Sequence, residues 1–416
     1  MSFFKKKSDS VQHIELSEKH KKVRLVLICV LIVIAAAAFT TALMSYLNGD
    51  PGWRTIEVST SEVNCADDFI FNYYFPDTGR AAAAATKQIT SLYTEAAEKA
   101  YWLFSADETK DDLVNVCYIN RHPNEVLTVD PVLYDAFALL EGSGSRHLYL
   151  AGIYTEYDNL FFSESDAQAA YRDPVLDEET EDYVNQILAF VNDPAQVSLE
   201  LLGDDQLRLN VSAEYLAFAE EYEIDGFIDF HWMSNAFITD YFADVMTEAG
   251  YTDGYFASFD GFTRNLHNAE ESYSLNIFDL EDNGIYLAGR MEYTWPMSIV
   301  YLRGYPISQS DSWHYYAYAD GRIVTSYIDP TDGLSRTAAD TLVSYSGTDS
   351  CARILVRLLP VYIAGELDTA PLQTMAEDEI YSIWCRDQVI YYNDASLQLY
   401  DLLDDDGLRY TKELVK

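Results

Sequence analysis

Histidine is the side chain suited to proton transfer near neutral pH. Two histidines invite that role. His147 lies in Gly142-Ser143-Gly144-Ser145-Arg146-His147, a loop-like run in which it is a candidate general base. A solitary loop histidine reads equally as a polar surface residue. His314 stands among Trp313, Tyr315, Tyr316 and Tyr318, a setting of sheet surface more than of a ligand cluster. Cys65, Cys117, Cys351 and Cys385 are far apart and form no Cys-x-x-Cys pair, which argues against zinc. Outside the cell they allow disulfides in three connectivities, or four buried thiols. Asp404, Asp406, Gly407 and Glu413 fit positions 3, 5, 6 and 12 of a calcium loop, but position 1 is Leu402, which carries no oxygen ligand. Asn210-Val211-Ser212 has the form of an N-glycosylation acceptor.

The most informative stretch runs from Ala319 to Arg353. Asp320-Gly321 supplies the positive φ of a tight turn. A strand follows through Tyr327-Ile328-Asp329, and Pro330 and Gly333 end it. A second strand covers Leu342 to Ser346. A helix then opens at Ser350, capped by Thr348 or Asp349, with Ile354, Leu355, Leu358 and Leu359 on one side. This layout resembles the end of the catalytic domain of the FAD:protein FMN transferases, the ApbE-like flavin transferases. Their pattern is a strand ending His-His-Ile-Ile-Asp-Pro-x-x-Gly, a second strand, and a helix beginning Ala-Asp-x-x-x-Thr. Tyr327 to Gly333 matches the second half of the first motif, and Asp349 matches the Asp of the second. Thr325 and Ser326 stand in place of the two histidines, and Arg353 in place of the metal-binding Thr.

Earlier landmarks resemble the same family in order and spacing, from roughly Glu57 to Tyr392. A β-rich run through Phe69, Phe71, Tyr73 and Phe75 precedes a long helix, Thr78 to Phe104, that ends at Phe104-Ser105. Asp112 to Asn120 resembles the family's Asn-bearing loop, and Val126 to Leu133 the short strand and helix after it. Gly142 to Tyr149 stands where the family has Thr-Gly-Gly-x-Phe-Asp, without the Phe-Asp. Phe227 to Tyr241 corresponds to Leu-Asp-(Leu/Phe)-Gly-Gly-Ile-Ala-Lys-Gly-Tyr-Ala-x-Asp. Asp229 and Asp240 match its acidic ends. His231 and Trp232 replace the glycine pair, Asn235 the Lys and Ala236 the next Gly. Asp260-Gly261 replaces the Gly-Gly after the following strand, Tyr255 to Gly261. Ile307-Ser308-Gln309-Ser310 stands at the family's Thr-Ser-Gly.

The resemblance implies cofactor contacts at Asp229, Asp240 and Asp260, a metal ligand at Asp349, and FAD and Mg²⁺ as the cofactors. Glycines let a backbone approach a diphosphate, and a lysine at a helix start faces it. Bulky His231 and Trp232 fill that space instead, and losing the Lys removes positive charge. Trp232, Met233 and Phe237 read as core packing. Two functions follow from the resemblance. One is a membrane-anchored extracytoplasmic binding or scaffold protein, degenerate in its catalytic motifs. The other is an active Mg-dependent transferase that attaches FMN to Thr or Ser of a target protein. A carbohydrate or peptide binder is a third class, since 33 Tyr and 6 Trp supply stacking surfaces.

The elements that must hold these residues fit an α+β chain of twisted sheets flanked by helices, preceded by one transmembrane helix. Strands are expected within Ser272 to Ile299, broken at Asp282-Asn283-Gly284 and Pro296, and in hairpins at Leu199 to Val211 and Glu379 to Tyr392. Residues 164–196 read as helical, best formed over Asp182 to Val191. Leu25 to Leu47 is an uncharged apolar run long enough to span a bilayer. Residues 1–24 carry seven Lys/Arg and three Asp/Glu, which places the N-terminus in the cytoplasm and the rest outside. A cleaved signal peptide is the rival, though its apolar region is usually shorter. Cys29 lacks the small preceding residue of a lipoprotein site. The expected organisation is a basic tail at 1–24, an anchor at 25–47, a linker at 48–54, an ApbE-like domain at 55–392 and an acidic tail at 393–416. The partners expected are the membrane, through residues 25–47, and a flavoprotein or another membrane protein. The net charge of −41 disfavours nucleic acid.

Overall fold

The computed structural model describes residues 51–415, apart from 60–61, 77–78, 267–271, 282–283, 309–310, 312 and 406. The expected basic tail and anchor, 1–47, lie outside the described residues. Among the described residues no helix is long and apolar enough to cross a membrane. The chain divides into two compact units, 1–52 with 76–85, and 53–75 with 86–416. Of the first, the described part is short and includes the opening turns of helix α1 (Gly79–Phe104).

A nine-stranded sheet organises the second unit. Its strands are β1 (Gly52–Thr55), β2 (Phe69–Phe75), β3 (Gly254–Ser258), β4 (Phe262–Asn265), β5 (Met297–Arg303), β6 (Thr341–Ser346), β7 (Tyr381–Arg386), β8 (Val389–Tyr392) and β9 (Thr411–Leu414), side by side in chain order. From β2 to β8 every pairing is antiparallel, while β9 joins β8 in parallel. The segment assigned above to an acidic tail therefore contributes an edge strand. The hairpin β7–β8 turns through Asp387 and Gln388, both at positive φ, as a two-residue turn requires.

Every residue of β5 is buried, the mark of a strand covered on both faces. On one face Met297, Ile299 and Tyr301 join Val343, Tyr345, Ile383 and Ile390 in a cluster with Ile277, Met291 and Tyr293. The last three come from an antiparallel pair, Tyr273–Glu281 with Gly284–Tyr293, that packs on the sheet. Each large side chain so buried contributes about 1.5–3 kcal/mol. Tyr410 also joins this cluster, and its hydroxyl donates to Oδ2 of buried Asp279 at 3.1 Å.

The opposite face carries α5 (Ser234–Glu248) and α6 (Cys351–Tyr362). Between α1 and α5 lie α2 (Pro131–Ser143), α3 (Ala151–Phe161) and α4 (Glu178–Val191), and α7 (Ala370–Glu377) follows α6. Helix α4 starts four residues before the expected Asp182. The α6 cap is Ser350, whose hydroxyl accepts from the Arg353 amide. Thr348 and Asp349 do not cap it, because their own amides turn back to Ser346 Oγ. All four cysteines outside the N-terminal segment are free and buried, which settles the choice between disulfides and thiols.

Asp240 locks α5, α6 and the sheet together. Its carboxylate accepts the amides of Cys351 at 3.0 Å and Ala352 at 2.8 Å, and pairs with Arg264 of β4 at 2.8 Å. Replacing it by Ala strands a cation and two helix-end amides, so Asp240→Ala should cost about 3–5 kcal/mol in urea denaturation. A second expectation concerns pH. Burial pushes Asp279 up to about 7. A folded-state pKa above the unfolded value gives stability that is complete at acid pH and lost as pH rises through about 7. The difference in thermal midpoint between Asp279→Asn and the parent chain should therefore shift in favour of the variant between pH 5 and pH 8.

Candidate functional site

The site is built around an irregular segment, Phe227 to Phe230, that leads into α5. Buried Asn120 holds it: its Oδ1 accepts the amides of Phe227 and Ile228, each at 3.0 Å, and its Nδ2 donates to the Ile228 carbonyl. Asp229 then makes a local turn, its Oδ1 accepting the His231 amide at 2.8 Å. His231 sits at φ 47°, a left-handed conformation that costs a side-chain-bearing residue and favours glycine. Its ring stacks on Tyr154 at 4.3 Å, and its Nε2 lies 3.0 Å from Asp158 Oδ1 on α3. Burial opposes the His231 charge, but Asp158 and Asp229 outweigh it and hold the imidazole above its ordinary pKa.

Trp232 follows, 5% exposed, edge-on to Tyr327 at 4.8 Å. Met233 and Phe237 are buried as expected. Asn235, in the first turn of α5, donates to Asp260 Oδ2 at 3.0 Å. Asp260 is presented by the turn after β3. Gly261 makes that turn at φ 111°, and a Cβ there would meet the Tyr301 carbonyl oxygen at 2.1 Å. Burial raises the Asp260 carboxyl to about 6.

These residues border a cleft of about 460 Å³. Asp67 and Asp68, just before β2, stand on one side, and Asp311, Trp313 and His314 on another. Phe259 and Trp313 flank it and stay exposed, at 46% and 59%. Trp232, Asp260, Asp311 and His314 also line an inner chamber of about 10 Å³, room for a single water. There Arg303, at the end of β5, pairs with Asp311 at 3.4 Å. Asp311 Oδ2 also accepts the amides of Ile307 and Ser308. Four buried atoms here, Trp232 Nε1, Asp260 Oδ1, His314 Nδ1 and Arg303 Nε, have no hydrogen-bond partner among the described residues. Such atoms need a guest, water or ligand. Burial, then the neighbouring His231 charge, drives His314 down to about 4.

The four carboxylates expected to serve a cofactor do not converge. Asp260 lines the cleft, and Asp229 is spent on the turn beneath it. Asp240 is spent on α6 and Arg264. Asp349 lies elsewhere, in an open groove of about 940 Å³ shared with Arg353 and Arg357. The register explains the separation: Ser298 pairs with Ser346 and Arg303 with Thr341. Asp349 follows one end of β6, while Arg303 enters the cleft at the other. Thr325 and Ser326 are buried, Thr325 bound to Ser335 and Ser326 against the inner chamber. His147 is not a surface residue. It is 5% exposed, its Nδ1 is 2.7 Å from Ser145 Oγ, and burial lowers it to about 4. His314 lines the cleft, not a sheet surface. Asp67, Asp68, Asp158, Phe259 and Arg303 escaped the sequence reading. Only Arg303 carried a signal, as a cation closing the apolar strand Met297-Ser298-Ile299-Val300-Tyr301-Leu302.

The residues do not fit FAD and Mg²⁺ as the resemblance implies. Side chains occupy the glycine positions, the cleft that a diphosphate would enter is lined by carboxylates, and Asp349 lines a separate groove with Arg353 and Arg357. Among the described residues no group of three His, Cys, Asp or Glu is placed to hold a metal ion.

The backbone is nevertheless that of the ApbE proteins. It superposes on the ApbE protein of Thermotoga maritima with a TM-score of 0.55 at 11% identity, over 80% of this chain and 94% of that one. For the flavin transferase ApbE of Vibrio cholerae the TM-score is 0.54 at 11% identity, over 84% and 97%. No family model matches the sequence, and no curated protein matches it. The chain thus has a divergent ApbE-like α+β fold.

The histidines give a direct check. In an NMR pH titration His147 and His314 should stay neutral down to about pH 5, with midpoints near 4, while His231 should titrate above its ordinary value.

Proposed function

We propose that this chain is an ApbE-fold binding protein, held at the outer face of a membrane by residues 25–47, that no longer transfers flavin. The observation that carries this is the backbone at His231. It keeps a conformation suited to glycine, yet bears a ring fixed by Tyr154 and Asp158. Trp232 closes the adjoining space. A diphosphate brought there would meet Asp67, Asp68, Asp260 and Asp311, and like charges in a partly desolvated cleft repel strongly. The net charge of −41 acts in the same direction at long range.

The basic residues before the apolar run, and the acidic chain after it, support an orientation with the N-terminus in the cytoplasm. A partner in or beside the same membrane fits that placement. The competing reading is an active Mg-dependent FAD:protein FMN transferase. It rests on Asp349, which lines an open groove at the position of the family's metal ligand.

Titration of FAD into the full-length protein, with and without Mg²⁺, separates the two. Flavin fluorescence and calorimetry should show no saturable binding, and a Thr-bearing acceptor peptide should gain no FMN. Metal-dependent binding in the micromolar range, abolished in Asp349→Ala, would overturn the proposal.

A further inference from the structure

The cleft's chemistry points to a guest opposite in charge to a flavin diphosphate. Its walls are acidic: Asp67 and Asp68 from the approach to β2, Asp260 from the turn after β3, and Asp311 from the loop after β5. Positive charge nearby is already committed. Arg303 pairs with Asp311, and the His231 imidazole with Asp158. Two of the carboxyls, Asp68 and Asp260, are raised by burial, and each has another Asp close enough to raise it further. A carboxylate held in that state gains from a cation beside it.

The acidic wall is not the whole case. Arg303 is 8% exposed, and its Nε at the inner chamber has no partner among the described residues. The same is true of buried Asp260 Oδ1. Polar atoms in this state mark a place built to hold something. At the mouth, Trp313 and Phe259 expose their rings, and Phe162 braces Trp313 edge-on at 5.0 Å. Exposed aromatic faces beside carboxylates attract organic cations, through ring quadrupole and charge together.

We infer that the cleft binds a small organic cation carrying a primary ammonium group, with the ammonium against Asp260 and Asp68 and the carbon chain along Trp313 and Phe259. A water in the inner chamber joins Arg303 and His314 to the same carboxylate. This rests on the proposal that the cleft is a binding site which does not take a flavin. A neutral polyol would satisfy the hydrogen bonds but leave the carboxylates uncompensated.

The test is calorimetric titration of the full-length protein with 1,4-diaminobutane, n-butylamine and, as a neutral isostere, 1,4-butanediol. Tryptophan fluorescence provides a second signal. The diamine should bind saturably at pH 7.5, and the diol should not. Asp260→Asn should weaken the diamine by about tenfold or more, the loss of one charge-assisted contact. Trp313→Ala changes an exposed residue and so preserves the fold; it should weaken the diamine by about fivefold. Binding should fade as pH falls through about 6, where Asp260 takes up its proton. The charged groups facing it across that range are Asp67, Asp68, Asp311, Arg303 and His231, with His314 neutral. Diamine and diol binding alike, no diamine binding at 10 mM, or an unchanged affinity in both variants would each overturn the inference. FAD binding in the same cell would instead overturn the function proposed above, so the two failures are distinct.

Discussion

The Asp240 carboxylate is the point on which the rest of the unit hangs. It is a buried anion with two helix-end amides and one guanidinium around it. Buried charge is tolerable only when it is met in this way. The three partners come from α6 and β4, while the carboxylate belongs to α5, so one group fixes two helices against the sheet. The N-terminus of α6 also welcomes negative charge, because unpaired amides and the helix dipole converge there. With α5 so fixed, its first turn must lie at the far end of the sheet from Asp349. That geometry decides where the cleft can be and which residues line it.

At that end the chain carries a bulky residue in a backbone shape suited to glycine. His231 occupies a left-handed conformation, a cost of about 1–3 kcal/mol that persists only where surroundings over-determine it. The surroundings do so here. The Asp229 turn fixes its amide, Tyr154 its ring plane and Asp158 its Nε2. The flavin transferases use glycines at the corresponding place, which leaves room for a ligand's phosphates. In this chain an imidazole and an indole stand at those positions, beside a cleft lined by carboxylates and rimmed by Phe259 and Trp313. Fold alone does not carry chemistry, so the side chains at this place decide what the cleft can take.

Much of the architecture was legible in the chain. The apolar spacing from Thr78 to Phe104 reads as one helix, and one helix runs from Gly79 to Phe104. The Asp320-Gly321 turn, the break at Pro296 and the hairpin at Gly203 to Asp205 all act locally, so they are visible locally. The order of these elements was enough to suggest the ApbE-like arrangement at 11% identity. Less was legible at the site. Asp349 looked like a cap or a metal ligand, but Ser350 caps the helix because the preceding amides fold back on Ser346. His147 looked like a surface loop residue, but a short 3-10 turn carries it under the fold.

The sequence by itself determined the period of each element, its turns, the uncharged run at 25–47 and the acidic balance of everything after it. These depend on neighbours a few residues apart, or on simple sums. Only the tertiary structure decided which carboxylates share a space. Asp67, Asp260 and Asp311 come from three separate strand ends, and Asp158 comes to His231 from a helix 73 residues away. No spacing encodes those meetings, because they follow from the register of β3 to β6 and from the single contact that seats α5 and α6. The same register set Asp349 apart from the cleft, a separation that depends on which strand ends adjoin and not on the identity of any one residue.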